Sequence, residues 1–230
     1  MELLSFGDSG WGDELLRATV VTIAVAVVAL FIGFFFAAFI VTFKLSKNKI
    51  LNFLGNAYTI IFRGVPELLI IYLLFFGGSG AVMYLAKIFG YNDYIEINAF
   101  LTGALSIGII SGAYSTEVLR GAIQSVKKSQ FESAEALGLK KIVYFFKVIM
   151  PQVLRIALPN IGNVWQITLK DTSLISITGL VEIMRQSYMA AGFTRNPLFF
   201  YLFAGFLYLI LTTFSMHIFN KLEKKYNFIQ

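Results

Sequence analysis

The 230-residue sequence contains no cysteine and a single histidine, His217. Disulfides, thiolate nucleophiles and cysteine metal sites are excluded together, and one imidazole with no second histidine or thiol beside it does not make a metal site. His217 is instead expected to be packed or to touch headgroups near the end of the last apolar run. No glycine-rich loop ending in Lys-Ser or Lys-Thr occurs, so the chain is not expected to bind ATP itself. Paired histidines and a convincing carboxylate dyad are also missing, which argues against a membrane-embedded enzyme. Charge is scarce as well: Asp, Glu, Lys and Arg make up only 14% of the residues.

What fills the chain is apolar. Hydrophobic residues account for 57% of it and mean hydropathy is +0.74, more apolar surface than a soluble domain of this size can cover. The reading is an all-α membrane protein. At roughly 20 residues per crossing, 230 residues hold about five transmembrane helices, and residues 1–230 form one membrane domain with no room for a second, soluble one. The net charge of +6 raises the question of nucleic acid, but the basic residues form no aromatic-interleaved patch. They sort by loop, which points to membrane lipid as the partner and to membrane orientation.

Residues 1–14 are short and acidic, with Asp8, Asp13 and Glu14, and 18–43 form an unbroken apolar run followed by Lys44, Lys47 and Lys49. This reads as a retained first crossing, since a cleaved signal would start basic and be shorter. The second crossing is interrupted by Arg63-Gly64-Val65-Pro66-Glu67, continues over 68–76, and is expected to end at Gly77, Gly78 and Gly80. Pro66 suits the first turn of a helix and Glu67 its positive end. Arg63 either reaches back to the headgroups or meets substrate. Residues 81–95 suggest a short surface helix. The third crossing, 97–119, carries Gly103, Gly108 and Gly112, spacings that let helices approach closely. Glu117 and Arg120, three apart, suggest an ion pair. A polar fourth crossing, 152–169, should bend at Pro159. The last runs from Pro197 to about 219 and ends in Lys221, Lys224 and Lys225.

Five crossings with the N-terminus outside and the C-terminus cytoplasmic put fourteen of the nineteen basic residues inside, as the positive-inside tendency requires. The same arrangement leaves the one polar island, 129–151, in the cytoplasm. There, Ser129 and Glu132 have the spacing of a capping box, Gly138 can take the left-handed residue that ends a helix, and a second helix over 140–150 should stop at Pro151.

The island also carries a resemblance. Glu132-Ser133-Ala134, three residues, Gly138, nine residues and Val148-Ile149-Met150-Pro151 resembles the EAA loop of bacterial ABC importer permeases, Glu-Ala-Ala, three residues, Gly, nine residues, Ile-x-Leu-Pro. Ser133 replaces the middle Ala, and Val148 and Met150 are mild departures. Arg63-Gly-Val-Pro66, Gly112-Ala-Tyr-Ser-Thr-Glu-Val-Leu-Arg-Gly121 and Lys170-Asp-Thr-Ser-Leu174 follow in the same order as in polar amino acid permeases. Nearly the whole chain is similar to these subunits, most of all to the histidine/arginine/lysine/ornithine/opine type.

The resemblance implies the type I ABC importer permease fold in the bacterial inner membrane. It also implies an ABC ATPase dimer as partner, a second permease subunit, identical or homologous, and a periplasmic or lipid-anchored substrate-binding protein. Glu132, Ser133, Ala134, Leu137 and Gly138 would then couple to the ATPase, with Phe131, Ala134 and Leu137 laid into its groove. An amino acid, basic, polar or opine-like, needs an acceptor for its ammonium and donors for its carboxylate. Asn163, Gln166, Lys170, Asp171, Thr172 and Ser173 offer both, since ionisable groups at membrane depth must pair or face water. An interfacial Lys170–Asp171 pair that only anchors the helix is the other reading. The alternative function is a stand-alone secondary transporter or channel, against which five crossings without an internal repeat speak. No cofactor is expected.

Overall fold

The computed structural model describes residues 2–7, 10–91 and 98–227, and all regular elements among them are helices. After a 3-10 turn at Glu2–Leu4, α1 spans Gly12–Lys44 and α2 Lys49–Gly64. Then come α3 at Glu67–Ile88, α4 at Ala99–Ser125 and the short α5 at Lys128–Ala136. The sixth helix, α6, covers Lys141–Thr178, its last part, Thr172–Thr178, wound as 3-10. α7 spans Ile183–Thr194 and α8 Pro197–Asn227. Five helices are long and apolar enough to cross a membrane: α1, α3, α4, α6 and α8. The expected count of crossings is therefore met.

Several expected boundaries are not. Gly77, Gly78 and Gly80 do not end the second crossing. The chain passes through a π turn at Leu73–Gly77 and continues as α-helix to Ile88. In hydrocarbon no water can take over backbone groups freed by a break, so the helix changes its winding rather than stopping. The surface helix expected over 81–95 is thus the end of α3 as far as residue 88. Its last residues 92–95, like Asp8 and the expected first residue of the third crossing, Ile97, lie outside the described residues. Pro151 likewise fails to stop the helix after the polar island. A π turn at Phe145–Ile149 precedes it, and Pro151 falls in the first turn of the α-helical stretch that follows, where its missing N–H costs least. The segment upstream of Arg63 is not part of the second crossing. It is the separate amphipathic helix α2, capped by Asn48, whose side chain accepts from Ile50 N at 2.9 Å, and ended before Pro66.

α4 is the centre of the bundle: 61% of its most apolar stretch is buried, against 28% for α1 and 11% for α3 and α8. The cause is its small residues. Gly108 and Gly112 face α1 so closely that a β-carbon on Gly108 would lie 3.1 Å from the Ala29 carbonyl oxygen, and one on Gly112 3.1 Å from that of Gly33. Backbones in such contact gain dispersion that longer side chains would forbid. The Ser111 hydroxyl also reaches the Ala29 carbonyl at 3.4 Å, and Tyr58 of α2 donates to the Ile109 carbonyl at 2.6 Å. Val25, Ala29, Ile70, Ile107 and Ile175 close the core around this contact. The opposite side of α1 exposes Phe31, Phe35 and Phe39 at four-residue spacing, a stripe suited to lipid.

Gly112→Val should therefore separate α1 from α4. The expected result is a lower melting temperature of the detergent-solubilised protein and a smaller folded yield, by an amount of the order of 1–3 kcal/mol for overpacking. Gly205→Val, at a position with open space around it, should leave both unchanged.

Candidate functional site

Two groups of polar residues meet near Tyr114 of α4, one centred on Glu117 and the other on the last α-helical turns of α6. At the end where α1 finishes, Glu117 of α4 gathers three cations. Lys44 donates to its Oε1 with a side chain only 7% exposed, Arg120 Nε lies 2.8 Å from Oε2, and Arg63 Nη1 lies 4.0 Å from Oε1. Lys44 Nζ also donates to Thr59 Oγ1 of α2 at 2.7 Å. The expected Glu117–Arg120 pair is present, but the sequence did not disclose Lys44, 73 residues earlier. Arg63 is turned toward Glu117 and Tyr114 with its side chain still 43% exposed. Its guanidinium sits 5.4 Å from the ring centroid of Tyr114, whose hydroxyl donates to Glu67 Oε1 at 3.2 Å.

In the second group, the six candidate path residues divide. Asn163 and Lys170, two helical turns apart on α6, are both exposed on one face. Gln166 turns to α8 and donates to the sulfur of Met216. Thr172 is fully buried, donating to the Leu169 carbonyl at 2.7 Å, and the Ser173 hydroxyl donates to the Lys170 carbonyl at 2.8 Å. Among the described residues no ion pair joins Lys170 to Asp171, because neighbouring helical residues point about 100° apart. Lys170 lines a groove of about 240 Å³ with Ser173, Tyr201 and Tyr208, whereas Asp171 lies within electrostatic reach of Glu67 and Tyr114. Glu67 and Tyr114 are thus site candidates that residue-by-residue reading missed. The signal was there, since Glu67 directly follows Arg63-Gly-Val-Pro66 and Tyr114 lies within 112–121.

Next to the groove, Glu182 caps α7. Its carboxylate accepts from Met184 N at 2.8 Å, Arg185 N at 2.7 Å and the Tyr208 hydroxyl at 2.9 Å. Burial nonetheless dominates, and the carboxyl is pushed up to about 7 against these three donors.

The polar island is a helix, a sharp turn and a second helix. The expected capping box is absent. The N-cap falls two residues earlier, at Lys127, with no side-chain cap, and Glu132 instead meets Lys128 at 3.1 Å, both exposed. The turn is as the sequence suggested. Gly138 has φ +68°, its N–H reaches the Glu135 carbonyl at 2.9 Å, and Leu139 N reaches that of Ala134 at 3.1 Å, the paired bonds of a Schellman end. The apolar residues do not all face outward. Ala134 is 4% exposed, packed with Tyr144, Ile149 and Val153, and Phe131 meets Tyr144 edge-on with centroids 6.3 Å apart. Both side chains pack toward α5's own bundle, Ala134 fully and Phe131 in part. Leu137, 77% exposed, and Glu132, Ser133 and Gly138 remain on the free side.

The raised Glu182 carboxyl carries a stability consequence. Below its ordinary value of 4.5 both folded and unfolded chains are protonated. As pH rises toward about 7 the unfolded chain releases this proton first, so folded stability falls, by about 3 kcal/mol at most. The melting temperature of the wild type in detergent should decline between pH 5 and 8 more steeply than that of Glu182→Gln. Equal slopes would show that burial does not govern this carboxyl.

Comparison with known proteins agrees with this fold. Residues 29–227 match the family described as binding-protein-dependent transport system inner membrane component. The nopaline transport system permease protein NocQ of Agrobacterium fabrum is 47% identical over 225 residues, 97% of this chain and 95% of that one. The arginine ABC transporter permease protein ArtQ of Escherichia coli is 33% identical over 221 residues, 91% of this chain and 93% of its own. In three dimensions, the crystal structure of an amino acid ABC transporter with histidines superposes with a TM-score of 0.79 at 26% identity, covering 94% of this chain and 95% of that chain. The MetNI methionine ABC transporter in an inward-facing conformation, at 15% identity and a TM-score of 0.75 over 93% of this chain and 96% of its own, shares the fold. Five apolar helices, a Schellman-ended loop with the EAA spacing and these likenesses converge: the chain belongs to the inner membrane components of binding-protein-dependent transport systems and is a multi-pass permease subunit of an ABC importer.

Proposed function

We propose that this permease carries a basic amino acid or an opine, and that residues 129–151 form the cytoplasmic segment through which an ABC ATPase dimer drives it. The free side of this segment supports the coupling reading. Leu137, Glu132, Ser133 and the left-handed Gly138 project from a short helix whose other side, Phe131 and Ala134, is anchored to the bundle. A lever needs both surfaces. Anchoring transmits the ATPase's motion, and an exposed leucine beside a glycine turn offers a small knob to a groove. Lys127, Lys128, Lys140 and Lys141 are exposed here, and Lys44 and the lysines ending α8 fall at the same end of the alternating helices. This supports a cytoplasmic position, and with it an external N-terminus.

The acidic neighbourhood of Asp171, Glu67 and Tyr114 supports a cationic substrate. Carboxylates brought together at membrane depth favour a visiting ammonium or guanidinium. Relatives named for nopaline, octopine, arginine and histidine/lysine/arginine/ornithine transport point the same way. Asn163 and Lys170, on the exposed face of α6, and Ser173, in the groove, would serve the substrate carboxylate, while Gln166 and Thr172 hold the helix in place. A second permease chain, the same or homologous, completes the path, and a periplasmic or lipid-anchored binding protein delivers the substrate. Transport proceeds by alternating access as helix bundles rock about the path.

In the assembled importer, Gly138→Asp should lower ATP-driven uptake and ATPase co-purification by about tenfold or more while membrane insertion is unchanged. Normal pull-down and uptake would remove 129–151 from coupling, and labelling of thiols introduced at Leu137 from outside intact cells would reverse the topology. Asp171→Asn should reduce uptake of arginine more than that of a neutral amino acid. An unchanged ratio would remove Asp171 from the path.

A further inference from the structure

Glu182 is the only carboxylate buried to 0% exposure among the described residues, and the transport reading does not use it. As a helix cap it is over-equipped. Two amide bonds suffice for a cap, a shorter Asp, Ser or Thr usually supplies them, and burying a carboxylate is costly. The third donor is the Tyr208 hydroxyl, from a different helix. No cation offsets the charge: no ion pair within 4.0 Å includes Glu182 among the described residues, and the nearby Arg185 turns its guanidinium over the Tyr188 ring, 5.6 Å from its centroid. From Tyr208 the chain of contacts continues. Its hydroxyl lies 3.3 Å from Thr172 Oγ1, and Thr172 stands between Asp171 and Ser173. Each hydroxyl has one proton. Tyr208 gives its proton to Glu182, so its oxygen faces Thr172 as an acceptor, and the Thr172 proton is shared between that oxygen and the Leu169 carbonyl. On the far side, Ile183 N donates to Thr22 Oγ1 of α1 at 3.2 Å.

We propose that Glu182 and Tyr208 are positioning residues for transport. Through the Tyr208–Thr172 contact they fix the turn at Lys170–Ser173 against α8, so that Asp171 and Lys170 keep their divergent directions. The groove beside them, about 240 Å³, falls below the usual ligand-site range of roughly 300–1,000 Å³, and Tyr208 lines it as a wall of the path. This inference rests on the reading of Lys170–Ser173 as part of the substrate path.

The test uses the complete importer, this chain with its ATPase, companion permease and binding protein, reconstituted in liposomes. It compares Tyr208→Phe, Thr172→Val, Glu182→Gln, Asp171→Asn and the double variant Tyr208→Phe/Asp171→Asn. Tyr208→Phe should assemble normally, raise the half-saturating concentration of arginine-loaded binding protein about tenfold, as loss of a hydrogen bond to a charged group does, and shift the preference between arginine and a neutral competitor. Thr172→Val should reproduce that shift, and it decides the matter should Tyr208→Phe fail to assemble. Glu182→Gln, whose amide oxygen still accepts, should lie between Tyr208→Phe and wild type. The double variant should be no worse than its worse single. If Tyr208→Phe and Thr172→Val change only yield or melting temperature, with uptake per assembled complex and substrate preference intact, Glu182 is a structural cap and the inference is overturned. If Asp171→Asn is impaired while those two are not, the inference alone falls. If Asp171→Asn leaves uptake and preference unchanged, the path reading falls and takes the inference with it.

Discussion

Water is absent from the greater part of this protein's surroundings, and that constraint decides more of the structure than any single contact. A backbone N–H or C=O released in hydrocarbon has no substitute partner, so each crossing must keep its own hydrogen bonds from end to end. This is why three glycines in four residues do not end α3, and why Pro151 does not end a helix whose winding has already widened to a π turn. In water either cluster would be a sensible stopping point. Here the chain adjusts by one extra residue in a turn, and the two π turns mark where sequence and solvent pull in different directions.

The same constraint makes small residues valuable. Lipid tails are as apolar as the side chains they replace, so helices associate by close packing rather than by escape from water. α4 meets α1 through Gly33, Gly108 and Gly112 with backbone nearly touching backbone, and it becomes the axis around which the remaining crossings are arranged. One buried cluster of charge is neutralised locally. Glu117 serves Lys44, Arg63 and Arg120 together, tying α1, α2 and α4 at one end, and no single surface pair of that kind would matter as much.

Sequence alone made the class, the number of crossings, the glycine seam and the Gly138 turn legible, because each depends on a local pattern: an apolar run, a small-residue spacing, a residue tolerant of positive φ. What it hid was non-local. Lys44 and Glu117 are 73 residues apart, and nothing in either neighbourhood announces the other. Phe131 and Ala134 look like a docking face until Tyr144, in the following helix, is seen to cover them. The path candidates were chosen as a run, Lys170 to Ser173, yet helical geometry sends successive residues in different directions. Lys170 lines a groove with Tyr208, and Asp171 lies within electrostatic reach of Glu67 and Tyr114. The capping box failed for a similar reason. Ser129 has the right partner at the right spacing, but Lys128 already belongs to the helix, so Glu132 takes the lysine instead.

The two ends of the molecule are joined most directly by α6. It leaves the polar island at Lys141, passes its π turn within the first three turns, and then runs as unbroken α-helix from Met150 to Asp171 beside α4 and α8. At 1.5 Å per residue those 22 residues span about 33 Å, the thickness of a hydrocarbon core. If the polar island couples to an ATPase as proposed, a displacement imposed there reaches Lys170 and Asp171 along one continuous helix, with no loop between. The widened turn at Phe145–Ile149 lies at the polar-island end of that element, and Pro159, inside the helix, removes one further backbone donor nearer its middle. On the coupling reading proposed above, a moving partner would meet its first point of adjustment at that widened turn. At the far end Thr172, Tyr208 and Glu182 lock the rod's tip to its neighbours. Transmission as proposed would use this asymmetry, a widened turn near the polar island and a tip tied by hydrogen bonds through Tyr208 to Glu182.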